Sequence, residues 1–152
     1  MRAASFFLAA TATFASTLPA SAADVFGNWL SAKGEAIIEI VPCGASACGT
    51  FVWLAEPLTP EGQPKVDINN PDPALQTRTI CGMQLIGDFV KGSDGRWTDG
   101  KIYDPQKGKM YNSKMHVKED GTLYLRGHLD GLLSMIGRSE IWTPVPDNRG
   151  GC

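Results

Sequence analysis

The sequence predicts an all-β protein built from consecutive antiparallel hairpins, and three observations carry that expectation. After residue 23, glycine and proline punctuate the chain so densely that only one run longer than eight residues, Lys109 to Asp120, lacks both. A typical helix needs about 10–14 residues, so helices have almost no room. Between the breaks lie short runs rich in Val, Ile, Tyr, Trp and Phe, the composition of strands. Several of these runs alternate with a period of two, as side chains on opposite faces of a strand must. Roughly eight such runs joined by tight turns point to a barrel or a sandwich.

The elements follow in order. "GEAIIEIV" places Ala36, Ile38 and Ile40 on one face and Glu35, Ile37, Glu39 and Val41 on the other. "FVWL" is apolar on both faces, with Phe51 and Trp53 expected to share one and Val52 and Leu54 the other. One face would cover the core while the other meets a long loop or a partner. "GKMYNSKMHV" opposes Tyr111, Met115 and Val117 to Met110, Asn112, Lys114 and His116. "TLYLRGHL" opposes Leu123, Leu125 and Leu129 to Tyr124, Arg126 and His128. Asp120-Gly121 is a hairpin signal between these two runs. In "TDGKIYDPQKGKMY", Pro105 suits the second position of a turn and Gly108 its close. Tyr103 and Tyr111 flank that turn and are expected to meet as a cross-strand pair.

One segment breaks the rhythm. Glu56 to Arg78 holds five of the ten prolines and reads as a long excursion between strands. Asp72 can cap a short helical turn over Pro73 to Thr77, with Pro73 as its first residue. Long ordered loops are often lids or binding loops, and equally can close one end of a barrel.

Residues 1–23 are of another kind. Arg2 precedes a small-residue apolar run, Pro19 breaks it, and Ala20-Ser21-Ala22 supplies an A-x-A site. This is the pattern of a signal peptide cut after Ala22 or Ala23, leaving a single domain over residues 24–152. The expected location is periplasmic or secreted. Losing Arg2 takes the formal charge from −2 to −3. An acidic chain without a basic stripe argues against nucleic acid as partner. It offers no polybasic membrane anchor, and no transmembrane segment is expected in the mature chain.

An exported chain with four cysteines reads as disulfide-bonded. Cys43 and Cys48 enclose the flexible "GASA" and are expected to pair, leaving Cys81 to tie Cys152 at the C-terminus. A zinc site is disfavoured, because C-x4-C has no second paired motif and His116 and His128 lie far along the chain. No metal or other cofactor is expected.

Two resemblances sharpen the fold. Gly27 and Trp29 in "FGNWL" form the Gly-x-Trp that resembles the first strand of lipocalins and fatty-acid-binding proteins. There the Trp plugs the closed end of an up-and-down barrel under an Arg of the last strand, which here implies Arg138 in "GRSEIWTPV". The ordered set "VPCGASACGTFVWL", "DINNPDPALQTR", "GRWTDGKIYDPQKGKMY", "LYLRGHL" and "GRSEIWT" resembles a bacterial exported family, the domain of unknown function 2147. That resemblance covers about Val25 to Val145. It implies an up-and-down antiparallel lipocalin-like β-barrel of the calycin type, and assigns no activity.

The chemistry on offer favours binding. There is no G-x-S-x-G elbow, no H-E-x-x-H and no phosphate loop before a helix. Asp67, Asp72 and Asp104 could form a catalytic acid pair, but Asp beside Pro or Gly is usually turn chemistry. A small barrel has room for its own side chains or one small ligand. Phe51, Trp53, Phe89, Tyr103, Tyr111, Tyr124 and Trp142 could line such a site. Arg126 could point inward and pair a ligand carboxylate. Asn69 and Asn70 could hold a polar ligand at the mouth, or fasten their own loop through Asx turns. The expected function is capture of a small, partly apolar molecule such as a lipid or fatty acid. The alternatives are a filled barrel serving as an envelope interaction or structural protein, and a hydrolase using Asp and His residues.

Overall fold

The computed structural model describes residues 24–129, 137–146 and 151–152. The proposed signal peptide lies outside these residues. Nine strands form one antiparallel sheet: β1 Gly27–Leu30, β2 Ala36–Cys43, β3 Ser46–Leu54, β4 Gln84–Gly87, β5 Val90–Lys91, β6 Trp97–Asp104, β7 Lys109–Val117, β8 Leu123–His128 and β9 Gly137–Val145. Neighbours run β4-β3-β2-β1-β9-β8-β7-β6-β5. A further pairing of β4 with β6 closes eight strands into a barrel and leaves the two-residue β5 as an extra strand. The only helical turn among the described residues is 3₁₀, at Pro73–Leu75. Asp72 caps it, its carboxylate accepting from the Ala74 amide at 3.0 Å.

Alternation assigns the interior as the sequence predicts along β2, β7 and β8. Ala36, Ile38 and Ile40 face in, as do Met115, Leu123 and Leu125, and all are buried. Full burial of each such aliphatic side chain contributes roughly 1.5–3 kcal/mol. Val25, Ile40, Ala47, Trp97 and Leu123 fill one end of the barrel. Trp29 joins this core and donates its indole N–H to the Val25 carbonyl at 2.8 Å. Asp24 ties the segment before β1 to β6 and β5, accepting from Trp97 Nε1 at 3.2 Å and from Lys91 Nζ at 2.7 Å.

Three expectations need correction, each for a reason of register. A bulge in β3 separates the pairs Ile38↔Phe51 and Ile37↔Trp53. The extra residue turns Trp53 to the outer face while Phe51 and Leu54 stay inside, so Phe51 and Trp53 do not share a face. In the β6–β7 hairpin, Tyr103 pairs with Met110 and Ile102 with Tyr111. Tyr103 and Tyr111 are therefore one step out of register and take opposite faces. On β9, Pro144 stands opposite Trp29, and Arg138 pairs with Gly127 at the other end of the barrel. Arg138 cannot cover Trp29.

Both disulfides have the expected partners, Cys43–Cys48 and Cys81–Cys152. They close loops of very different span, 5 and 71 residues. The chain-entropy account gives about 2 kcal/mol for the short loop and about 4 kcal/mol for the long one. Urea unfolding of C43S/C48S and C81S/C152S should therefore show the larger loss in the second variant. Equal losses would mean that the long loop is already restricted in the unfolded chain.

Candidate functional site

Among the described residues, the end of the barrel opposite the packed core is open. The β1–β2 loop, the long segment after β3, the β6–β7 turn and the start of β9 converge there around a cavity of about 860 Å³. Its walls carry Ile38, Phe51, Leu85, Tyr111, Leu125 and Trp142. Gly127 contributes open wall: a Cβ there would sit 3.5 Å from Tyr111 Cβ and 3.8 Å from Ile102 Cγ2, ordinary contact distances.

β9 sends two charges into this apolar space. Glu140 pairs with Leu125 and Arg138 with Gly127, so both face inward with Trp142. Trp142 Nε1 donates to Glu140 at 3.0 Å, and Arg138 Nε lies 3.6 Å from the other carboxylate oxygen. The rim adds Lys65 beside Glu56 and Lys107 beside Asp104, each at 3.2 Å. These exposed pairs add little stability; what they do is surround the mouth with both signs of charge.

The long loop is fixed to this rim through a buried network. Asp67 is fully buried. It accepts from the Tyr103 hydroxyl at 2.7 Å, from Asn70 Nδ2 at 2.7 Å and from Arg78 at 2.9 Å. Asn70 Nδ2 also donates to the Tyr103 oxygen at 3.1 Å. Burial pushes the Asp67 carboxyl up, but the bonds from Asn70, Tyr103 and Arg78 outweigh it and hold the group below its usual range. Burial, then the bond to Asp67, pushes the Tyr103 hydroxyl up to about 12. Asn69 Nδ2 donates to the carbonyls of Pro105 and Gln106 at 3.3 and 3.1 Å, stitching the loop to the β6–β7 turn. Gly108 is required at that seam: its φ is 61°, and a Cβ would run into the Asn69 carbonyl oxygen.

The sequence-predicted residues thus separate into groups. Phe51, Tyr111 and Trp142 line the cavity, and Tyr103 borders it beneath the loop. Phe89 is packed in the core, its ring against Gly100. Asn69 and Asn70 are engaged within the loop and its anchor. Trp53, Tyr124 and Arg126 lie on the outer face. Arg126 pairs with Lys114 and Ser139 across the sheet, so the cation that the inner face presents at the mouth is Arg138, itself largely exposed. Glu140 was not anticipated. Its signal is the alternation Arg138, Glu140, Trp142, which reads as a solvent-facing row unless the barrel is known to be hollow.

Among the acids and histidines considered for catalysis, Asp72 caps its helical turn and Asp104 accepts from the Gln106 amide at 3.0 Å. His116 and His128 are on the outer face with Tyr124 and Arg126. No group of three or more His, Cys, Asp or Glu side chains suited to a metal ion occurs among the described residues.

A closed eight-stranded up-and-down barrel of this kind is a lipocalin-like fold. The chain belongs to the family described as "Uncharacterized protein conserved in bacteria (DUF2147)", which it matches over residues 27–144. It is also similar in structure to protein HP1028 from the human pathogen Helicobacter pylori, described as belonging to the lipocalin family. The TM-score is 0.69 at 19% identity, over 83% of this chain and 86% of that one. That likeness supports the fold. No curated protein matches the chain. No helix among the described residues is long and apolar enough to cross a membrane.

Two measurements probe the loop anchor. Tyr103→Phe removes one donor from a buried carboxylate and should cost about 1–3 kcal/mol in urea unfolding. It should also speed proteolysis within residues 56–80, and unchanged protection would contradict the anchoring role. The Tyr103 bond stabilises the protonated phenol, so its stability contribution is fully present below the unfolded value near 10 and lost as pH rises towards about 12. Absorbance titration should show one tyrosine ionising late, and that phase should vanish in the Phe variant.

Proposed function

We propose that this protein is exported to the periplasm or beyond and binds one small, partly apolar molecule inside its barrel. The observation that carries the reading is the open-mouthed cavity of about 860 Å³ with an aromatic and aliphatic wall. Ligand pockets commonly measure about 300–1,000 Å³ and combine apolar lining with a few fixed polar groups. Trp142, Glu140 and Arg138 form such a polar group on the wall. A lipid or fatty-acid-like molecule fits this chemistry, with its apolar part among Phe51, Leu125 and Trp142 and its polar end at the charged rim. Export is supported by the leader pattern of residues 1–23 and by two disulfides. A filled barrel with a purely structural role accords less well with the open interior.

Gly127→Leu tests the site with little strain, because a Cβ at this position meets only ordinary contacts and the rest of the side chain enters the cavity. Titration with a fluorescent fatty-acid analogue should saturate for the natural protein. The variant should bind at least about tenfold more weakly, a loss of ~1.4 kcal/mol, while keeping its melting temperature. Equal binding by both proteins would place the probe elsewhere and overturn the assignment.

A further inference from the structure

The outer face of β7, β8 and β9 carries a second, separate arrangement. Register sets Lys114, Arg126 and Ser139 side by side across three strands, with His116, Tyr124 and Ile141 in the next row. Like charges directly opposite on a sheet repel. Among the described residues, neither Lys114 nor Arg126 has a carboxylate within ion-pair distance. Arg96 adds a third cation, only loosely held by Asp94 at 3.9 Å. This concentration of positive charge stands on a chain whose net charge is negative.

Four of these side chains, Arg96, Lys114, His116 and Tyr124, also border a space. A surface pocket of about 210 Å³ is lined by Arg96, Trp97, Thr98, Lys114, His116 and Tyr124, with Met115 beneath. At ~30 Å³ per water it could hold about seven waters, ample for a tetrahedral oxyanion. His116 and Tyr124 form its aromatic side, ring centroids 5.0 Å apart. Tyr124 shares a 2.9 Å hydrogen bond with Ser139, to which Arg126 donates at 3.4 Å. Burial first, then the charges of Arg96 and Lys114, push the His116 imidazole below its usual range, with the Asp94 carboxylate opposing them. The bond with Ser139, with help from Arg126 and Lys114, holds the Tyr124 hydroxyl low.

We propose that this outer pocket binds a phosphoryl-type oxyanion, with Lys114 and Arg96 on its wall and Arg126, directly across from Lys114 at its edge, supplying the charge and Tyr124 a hydroxyl donor. The site is distinct from the barrel cavity, since Lys114, His116, Tyr124 and Arg126 stand on the outer face of the sheet.

Nuclear magnetic resonance of the two histidine rings tests it on the whole mature chain. Inorganic pyrophosphate and phosphatidylglycerol vesicles are added in separate titrations, with potassium chloride at matched ionic strength as the control. The expected result is a saturable change at His116, larger than at His128, with pyrophosphate, vesicles or both. Response to pyrophosphate identifies a free phosphoryl compound as sufficient; response to vesicles alone identifies a lipid headgroup. In either case Lys114→Gln with Arg126→Gln should weaken binding about tenfold or more. The double variant should fold at least as well as the natural protein without anion, because it removes a repulsive pair. Its melting temperature should also stop rising with the anion that stabilises the natural protein. No change with either probe, the same change with potassium chloride, or undiminished binding by the variant would overturn the proposal.

Discussion

The barrel, and with it the cavity, depends on β4 finding β6. That seam consists of Ile86 opposite Ile102 and Gly87 opposite Lys101, far shorter than the ladder joining β2 to β3. A sheet left open there would expose two unpaired edges and drain the cavity into solvent. The chain braces both sides of the weak seam. Cys81–Cys152 holds the segment entering β4, and Phe51 exchanges backbone bonds with Gly82 and Met83 alongside it. On the other side Tyr103, the residue after Ile102, is locked to Asp67. The long loop is thus a strut across the closure as well as one wall of the mouth.

This explains why a proline-rich segment is kept so well ordered. Asp67 is a buried charge, costly unless it is paired and hydrogen-bonded. Tyr103, Asn70 and Arg78 supply three bonds to it, and Asn70 in turn accepts from the Asp72 amide that begins the capped turn. The two asparagines considered as ligand contacts therefore do their work inside the chain. The interior keeps its polar groups for the wall formed by β9, where Glu140 is held by Trp142 and Arg138 lies mostly in solvent at the mouth.

Much of this was legible in the sequence because a strand has only two faces. Ala36, Ile38 and Ile40 announced their side, as did Leu123 and Leu125, and the cysteines paired as spacing and export predicted. What escaped was set by single-residue shifts that composition does not encode. One extra residue in β3 sends Trp53 outward, and one step of hairpin register parts Tyr103 from Tyr111. The same limit governed the arginines. Arg126 and Arg138 each sit in alternating strands with aromatic neighbours, and only cross-strand pairing shows that Arg138 is inside and Arg126 outside. Small residues carry the rest: Gly127 leaves space open and Gly108 lets two loops touch, roles visible only once their neighbours are placed.

We propose that the barrel is hollow for the sake of a guest. Native mass spectrometry of the protein extracted without detergent from its own host, followed by denaturing mass measurement, tests this most directly. The account predicts a stoichiometric added mass that disappears on unfolding and belongs to a small, partly apolar compound. A bare protein mass in both measurements, from freshly extracted material, would contradict it.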